Sequence, residues 1–360
     1  MPSQITHALL AEDSLPEQQR HRLTQPEYRA WLALGAQGPD LFYHNQRRAP
    51  RSIQYGTLLH RHSYGSVTAA ILAQAHLRGE EPDGKTAMYL AGFVGHAVLD
   101  RILHPYINFR AGRPVAGRPE TDKLRSMHAF MERLVDVALL EYLRGIHPNE
   151  YDFYGTVTVV EKTGRDHWVS LMEGALASAL PRAEADTKLS LRMNNAWLDA
   201  FGYYQFTRNV NPDYLRIALE RETAGTISGQ WLSLVHPLNV PSDLDVLNLE
   251  HRQWNHPCSS RRTSRESVPD MYDEGVRRTR AAVEQVLALW DDIRKTGVKD
   301  DTINAIIATV GDYNLSDGRP RKKPCRPRHM DPLPLPRLQE LIRQSIQSGS
   351  GGLVQSIFRE

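Results

Sequence analysis

The densest apolar stretch of the chain runs Tyr89-Leu90-Ala91, Phe93-Val94, Ala97-Val98-Leu99 and Ile102-Leu103, and three polar groups interrupt it: His96, Asp100 and His104. A helix brings residues four apart onto one face, one turn from each other. The pattern predicts a helix from Lys85 to about Leu103, stopped by His104-Pro105. A second long helix, from Asp122 to about Leu143 and ending at Gly145, repeats the device with His128, Glu132 and Asp136. Imidazoles and carboxylates inside apolar surroundings are costly unless each is paired or bound to a metal.

Most of the remaining chain also reads as helix. Short helices are expected over Ile5-Thr6-His7 and the residues after it, over 26–34 with Gly35 as the stop, and over 66–77 with Gly79 beyond the end. Two glycines and a proline make Gly35 to Asp40 a loop, and residues 106–120 read as another. Further helices are expected at about 166–180, 186–208, 213–222 and 268–296, the last with Ser267 as N-cap and Pro269 in its first turn. Only Gly155 to Val160 has the β-branched content of a strand. Residues 312–337 hold six prolines and the basic run Arg319 to Lys323, and read as an extended connector. Ser348 to Gly352 has the composition of a flexible tail. The expectation is an all-α chain in three parts: a catalytic region over 1–150, a helical region over 151–310 that completes the fold and the cleft, and a Pro-rich, basic connector with a tail over 311–360.

Composition narrows the function classes. In 360 residues, 41% are hydrophobic and 24% charged, which is ordinary for a globular protein. The 44 basic and 42 acidic residues nearly cancel, which argues against nucleic acid as a partner and gives no membrane-surface signal. Cys258 and Cys325 are far apart and suggest no disulfide. No basic-then-apolar leader and no long apolar span is visible, so a cytoplasmic location without a transmembrane segment is expected.

Nine of the fifteen histidines fall within residues 1–128, so the chemistry is expected there. His96, Asp100 and His104 form one ligand edge, and His128 with Glu132 a second. Imidazole nitrogen and carboxylate oxygen are what zinc takes where thiolates are absent. Further candidates are His7, Asp40, and His60 or His62 in Leu58-Leu59-His60-Arg61-His62, with His60 the more core-facing. His44 is a weaker candidate, set against its reading as a solvated loop residue. Asp136 is expected behind the ligands, holding a ligand histidine in one tautomer. Trp254, His251 and His256 could line a pocket or simply pack. Arg47, Arg48, Arg51 and Arg61 lie near the candidate site in sequence, and one of them could clamp a phosphate.

The ordered series Ile5-Thr6-His7, Gly35 to Asp40, Leu58-Leu59-His60, Gly95-His96 with Asp100 and His104-Pro105, and His128 with Glu132 and Asp136 resembles the zinc-dependent phospholipase C family. That family is distantly similar to the fungal single-strand nucleases that cleave 3′ phosphates. The resemblance covers roughly residues 1–140 and, more loosely, Leu247 to Pro257. It implies a multi-helix bundle with a zinc cluster in a cleft, here with additional C-terminal helices. By resemblance, Asp40, His60 and His96 would hold one zinc. Asp100 would bridge it to a zinc bound by His7, and His104, His128 and Glu132 would hold the remaining one. Secreted members bind a zinc through their mature N-terminus, whereas Met1-Pro2 precede His7 here, so two or three zinc ions are expected.

The expected activity is zinc-dependent hydrolysis of a small-molecule or lipid phosphate ester. A metal-bridging hydroxide would be the nucleophile, with Asp40 as ligand or proton acceptor. Five imidazoles disfavour Mg²⁺. Two alternatives remain: a non-hydrolytic or redox di-metal enzyme, and a zinc-stabilised binding protein. Ferritin-like di-iron bundles use Glu-x-x-His rather than the four-residue spacing seen here, and structural zinc sites are usually rich in cysteine.

Overall fold

The structure, a computed structural model, describes residues 4–115, 117–125, 127–208, 236, 237, 240, 242–321, 323–334 and 337. Among these the chain is all-α. In order come α1 (Gln4–Ser14), α2 (Glu17–Arg20), α3 (Pro26–Ala36), α4 (Asp40–Tyr43), α5 (Ile53–Arg61), α6 (Tyr64–Leu77) and α7 (Lys85–Ala111). Then follow α8 (Met127–Arg144), α9 (Phe153–Thr158), α10 (Arg165–Ala179), α11 (Pro181–Glu184), α12 (Leu189–Phe206), α13 (Val268–Thr296) and α14 (Asp300–Val310). A two-residue hairpin, β1 (Trp254–Asn255) with β2 (Thr263–Ser264), is the sheet structure of the described residues. No described helix is long and apolar enough to cross a membrane.

Helix α7 is the axis of the molecule and packs against α3, α13, α1 and α8. Its first half, with Ala87 to Ala97, enters a large core around the buried Trp31, Trp168, Trp197 and Trp290. Its second half, from Leu99 to Ala111, enters another core with Phe130, Met131, Leu134 and Trp254. His96, Asp100 and His104 therefore lie where the two cores meet along one helix.

Two expected helix ends are overturned, each for a packing reason. Gly35 lies inside α3, not beyond it. A Cβ there would stand 1.9 Å from the Tyr89 carbonyl oxygen, and one on Gly92 would stand 2.2 Å from that of Leu32. The glycines let α3 and α7 cross in backbone contact. Likewise α7 continues through Pro105 to Ala111, so the expected loop over 106–120 begins only after Ala111. Proline removes the bond to the carbonyl four residues earlier, here that of Arg101. Gly318, at φ 61°, packs on that carbonyl: a Cβ on Gly318 would lie 2.6 Å from it.

Other differences are local. The stretch expected as a strand at 155–160 is largely helix α9, capped by Asp152, whose carboxylate accepts from Gly155 N at 2.8 Å. Helices α5 and α14 and the hairpin are not among the expected elements, although α14 has Asp300 and Asp301 in its first turn, apolar Ile303, Ile306, Ile307 and Val310 on one face, and Gly311 beyond its end. The Ser267 cap is present, with Ser267 Oγ accepting from Asp270 N and the Asp270 carboxylate accepting from Ser267 N. The expected helix at 213–222 and the tail at 348–352 lie outside the described residues. The cysteines correct the composition reading: Cys258 and Cys325 are joined in a disulfide with Cα atoms 6.0 Å apart.

The connector from Gly311 is the largest departure. It is a strap packed along α7. Arg101, buried, donates to the carbonyls of Val310, Gly311 and Tyr313 and lies over the Tyr313 ring. Leu315 N donates to His60 O at 2.9 Å, and Asn108 Nδ2 donates to Ser316 O at 2.9 Å. Asn314 and Asp317 fold the strap on itself, Asn314 Oδ1 accepting from Ser316 N and Asp317 N, and Asp317 Oδ2 from Cys325 N.

Candidate metal centre

Five helices bring the candidates together. His7 comes from α1, Asp40 from the first residue of α4, and His60 from the last turn of α5. His96, Asp100 and His104 line one face of α7, and His128 and Glu132 lie on α8. Asp100 is the hub. Its Oδ1 lies 3.2 Å from His7 Nε2 and 3.4 Å from His104 Nε2, and its Oδ2 lies 3.3 Å from His96 Nε2 and 3.8 Å from His60 Nε2. Asp40 reaches His60 Nε2 at 3.1 Å and His96 Nε2 at 3.6 Å. Glu132 reaches His128 Nε2 at 3.1 Å and His104 Nε2 at 3.3 Å.

Among the described residues four sets offer ligand atoms within 4.8 Å of one another: Cys258, Asp317 and Cys325, whose cysteines are joined in the disulfide; His7, His96 and Asp100; Asp40, His60 and His96; and His104, His128 and Glu132. The last two coincide with the sets expected by resemblance. Of His60 and His62, the structure brings only His60 to the cluster. His62 lies just past the end of α5 with Nδ1 on Ser63 Oγ at 2.7 Å, outside the cluster.

Four of the imidazoles are held by their far nitrogen. His60 Nδ1 is 2.8 Å from Gly56 O, His96 Nδ1 3.0 Å from Ala36 O, His104 Nδ1 2.8 Å from Leu315 O, and His128 Nδ1 3.2 Å from Asn108 Oδ1. A carbonyl there must accept, so Nδ1 carries the proton and Nε2 turns its lone pair to the cluster. Gly38 is part of the same cradle. At φ 50° it lies against the His96 ring, where a Cβ would meet Cγ at 2.5 Å.

The donor set fits zinc. His7 Nδ1, His96 Nε2, Asp100 Oδ2 and Glu132 Oε2 are buried without a hydrogen-bond partner. Each such group costs about 1–3 kcal/mol, and a cation at the cluster would accept the lone pairs of His96 Nε2, Asp100 Oδ2 and Glu132 Oε2, while His7 meets Asp100 through its other nitrogen, Nε2. A small space is bordered by His7, Asp100, His104 and Glu132. A larger open cleft, of about 380 Å³, shares His104 and Glu132 with it and is lined also by Asp40, His60 and His128.

The electrostatics say the same. Burial alone would raise the Asp100 carboxyl, yet His104 and His96 hold it well below the carboxylate range. Glu132 behaves alike beside His128 and His104. Burial would lower His104, but Asp100 and Glu132 push it up to about 9. The centre is thus three ionised carboxylates looking for positive charge, supplied by protons or by metal.

Other expected residues fall elsewhere. The described partners of Asp136 include no ligand histidine. It accepts from Thr6 N at 2.8 Å, Thr6 Oγ1 at 2.7 Å and His236 Nε2 at 3.0 Å, and so anchors the start of α1, which carries His7. His44 is buried rather than solvated, stacked on Tyr203 at 3.9 Å, and burial lowers it to about 3. Arg48 is bound to Asp199. Trp254 packs on Tyr106 and Phe109, and His256 Nε2 lies against Asp317 O. The remaining cleft walls are Tyr43, Thr57, Arg61, Asn108, Ser316 and Pro324. Of these only Arg61 stood out in the sequence, because the others carry no periodic signal and reach the cleft through tertiary packing.

No curated protein and no solved structure matches the chain. A family model described as zinc dependent phospholipase C matches residues 1–185, more than half of the chain and the whole of the ligand-bearing part. The chain belongs to the zinc-dependent phospholipase C family.

Proposed function

We propose that the protein hydrolyses a lipid phosphate ester at a cluster of two or three zinc ions. Asp40, His60 and His96 would hold one ion, and His104, His128 and Glu132 another. Asp100 would link the first to an ion at His7. The observation that carries this reading is the convergence of His, Asp and Glu ligand atoms around the buried Asp100, next to a cleft lined by Asp40, His60, His104, His128 and Glu132. Zinc bound there would lower the pKa of a coordinated water toward neutrality and offset charge building on the phosphate oxygens.

The chain's own groups do the rest. The Nδ1 partners hold the imidazole rings in orientation before any ligand arrives. Asp40 keeps its carboxyl ionised, because His60 and His96 outweigh its burial, so one oxygen can bind metal or accept the proton of the attacking water. Water adds at phosphorus, the P–O bond to the alcohol breaks, and the leaving oxygen takes up a proton. Tyr43, Thr57 and Asn108 offer uncharged polar contacts around the ester, and Arg61 an exposed guanidinium. Residues 1–150 supply the metal-facing side chains, the helices to 310 complete the bundle, and the strap after 310 closes one wall. The disulfide favours an oxidising compartment over the expected cytoplasm.

Two measurements test the proposal. Metal analysis of untagged protein should return two or three zinc ions per chain. The protein should cleave a chromogenic phosphodiester or phosphatidylcholine, and lose that activity with its metal. A content below one ion per chain would sink the metal assignment. The phosphate-ester reading fails if inorganic phosphate neither inhibits the protein, nor binds, nor shifts its thermal stability.

A further inference from the structure

Whole-chain charge hides a local excess. Residues 257–265 and 318–330 together hold nine basic side chains and no acidic one, in a chain whose totals are 44 and 42. The two segments are distant in sequence but joined by the Cys258–Cys325 disulfide. Pro257 O accepts from Arg328 N at 2.7 Å and His329 N at 2.9 Å. His256, on which both Arg319 and Arg262 act, sits between them. Arg261, Arg262, Arg321, Lys323, Arg326 and Arg328 are exposed, and among the described residues none is in an ion pair. Their backbone is anchored, so this is a fixed cationic face and not a solvated tail.

Its position is as informative as its sign. Ser316 and Pro324 both line the cleft, and Arg319, Arg321 and Lys323 lie between them in the chain. The segment of the strap that carries Arg321 and Lys323 therefore borders the cleft, whereas Arg319 Nε and Nη2 are buried. Crowding like charges costs folding stability, and an anionic partner would offset that cost.

We propose that this face docks the protein on an anionic phospholipid bilayer, with the cleft mouth held toward the headgroups. The inference rests on the lipid phosphate ester reading, which places the substrate in such a surface. Basic clusters bind anionic leaflets through summed Coulomb attraction without a specific pocket. Nucleic acid is the other polyanion to consider. Neither segment contains a Trp, Tyr or Phe, so the face lacks the aromatic platforms on which single-stranded bases stack.

The test is sedimentation of the metal-loaded full chain with vesicles of pure phosphatidylcholine or of equimolar phosphatidylcholine and phosphatidylglycerol. The protein should bind the mixed vesicles, release them at high salt, and ignore the neutral ones. Replacing Arg321, Lys323 and Arg326 by Gln should weaken binding on the order of 100-fold, since each cation near the surface is worth roughly five-fold. Turnover of a soluble chromogenic phosphodiester should stay unchanged. Arg261→Gln with Arg262→Gln should act in the same direction, whereas Lys295→Gln, at the far end of α13, should not. Equal binding to both vesicles, or indifference to the two basic-segment variants, overturns the proposal. So does tighter binding of a single-stranded oligonucleotide that the same variants weaken. Vesicle binding without hydrolysis of any phosphate ester would count for the docking face and against the catalytic reading, so the two failures are distinguishable.

Discussion

The backbone carbonyl of Leu315 accepts from His104 Nδ1 at 2.8 Å, across 211 residues of chain. A candidate ligand on the central helix is thus oriented by a strap beyond the part that matches the family. Asn314 shapes that strap, its Oδ1 accepting from Ser316 N and Asp317 N and its Nδ2 donating to Arg321 O at 2.6 Å. Asn314→Ala should loosen the carbonyl and weaken zinc at the His104, His128 and Glu132 set by about 10–100-fold, the usual effect of losing a group behind a ligand. Competition with a chromogenic chelator reads this out. Unchanged affinity would remove Leu315 from any positioning role.

Glu132 and Asp136 lie one turn apart on α8 and should fail differently. Glu132→Ala should remove one ion and activity while leaving the fold intact. Asp136 is fully buried beside Arg133 and the start of α1. Asp136→Ala should destabilise the protein by about 3–5 kcal/mol, the cost of breaking a buried charged network, and disturb His7 with it. Urea unfolding combined with metal analysis separates the two, and equal midpoints for both variants would contradict the assignment.

Gly38→Ala probes the cradle of His96. The residue is left-handed, which an alanine tolerates poorly, and its Cβ would collide with the imidazole. Metal at the Asp40, His60 and His96 set should fall together with activity, while the His104, His128 and Glu132 set still fills. Full occupancy by metal analysis would show that the ring has room to move.

Stability should depend on pH in opposite ways with and without metal. His104 is raised in the folded state from 6.5 to about 9. A raised pKa stabilises fully below the unfolded value and is lost as pH rises through the folded one. Metal-free protein should therefore lose thermal stability between about pH 6.5 and 9. The depressed Asp100 and Glu132 act at the other end, and their contribution disappears in acid. Zinc needs deprotonated imidazoles, so the gap between melting temperatures of loaded and metal-free protein should widen over the same range, with protons released on loading. Calorimetry in buffers of different ionisation enthalpy checks the proton count, and a gap that narrows would reverse the argument.

The local part of this architecture was legible in the sequence. Four-residue spacing on α7 and α8 showed which His, Asp and Glu share a helix face, because periodicity is a property of one helix. His60 could be preferred over His62 from its apolar neighbours, but only the end of α5 explains why His62 turns away. Gly35 and Pro105 misled for the same reason. Each looks like a helix terminator until the neighbour is known: Tyr89 across from Gly35, and Gly318 against the carbonyl that Pro105 frees. The strap was beyond reach, since its contacts with His60, Arg101, His104 and Asn108 span over two hundred residues and follow no period. The composition of 319–323 was visible, but its place beside the cleft and its link to 257–265 come from tertiary packing alone.

The disulfide has a practical consequence for anyone who makes this protein. It is the one covalent tie between the cleft wall and the hairpin region among the described residues, and it spans 67 positions. Chain produced in a reducing expression host would carry a wall held by non-covalent contacts alone. Preparations of identical sequence would then differ in metal content and turnover according to the compartment in which they matured, and the thiol count of a sample becomes as necessary a specification as its purity.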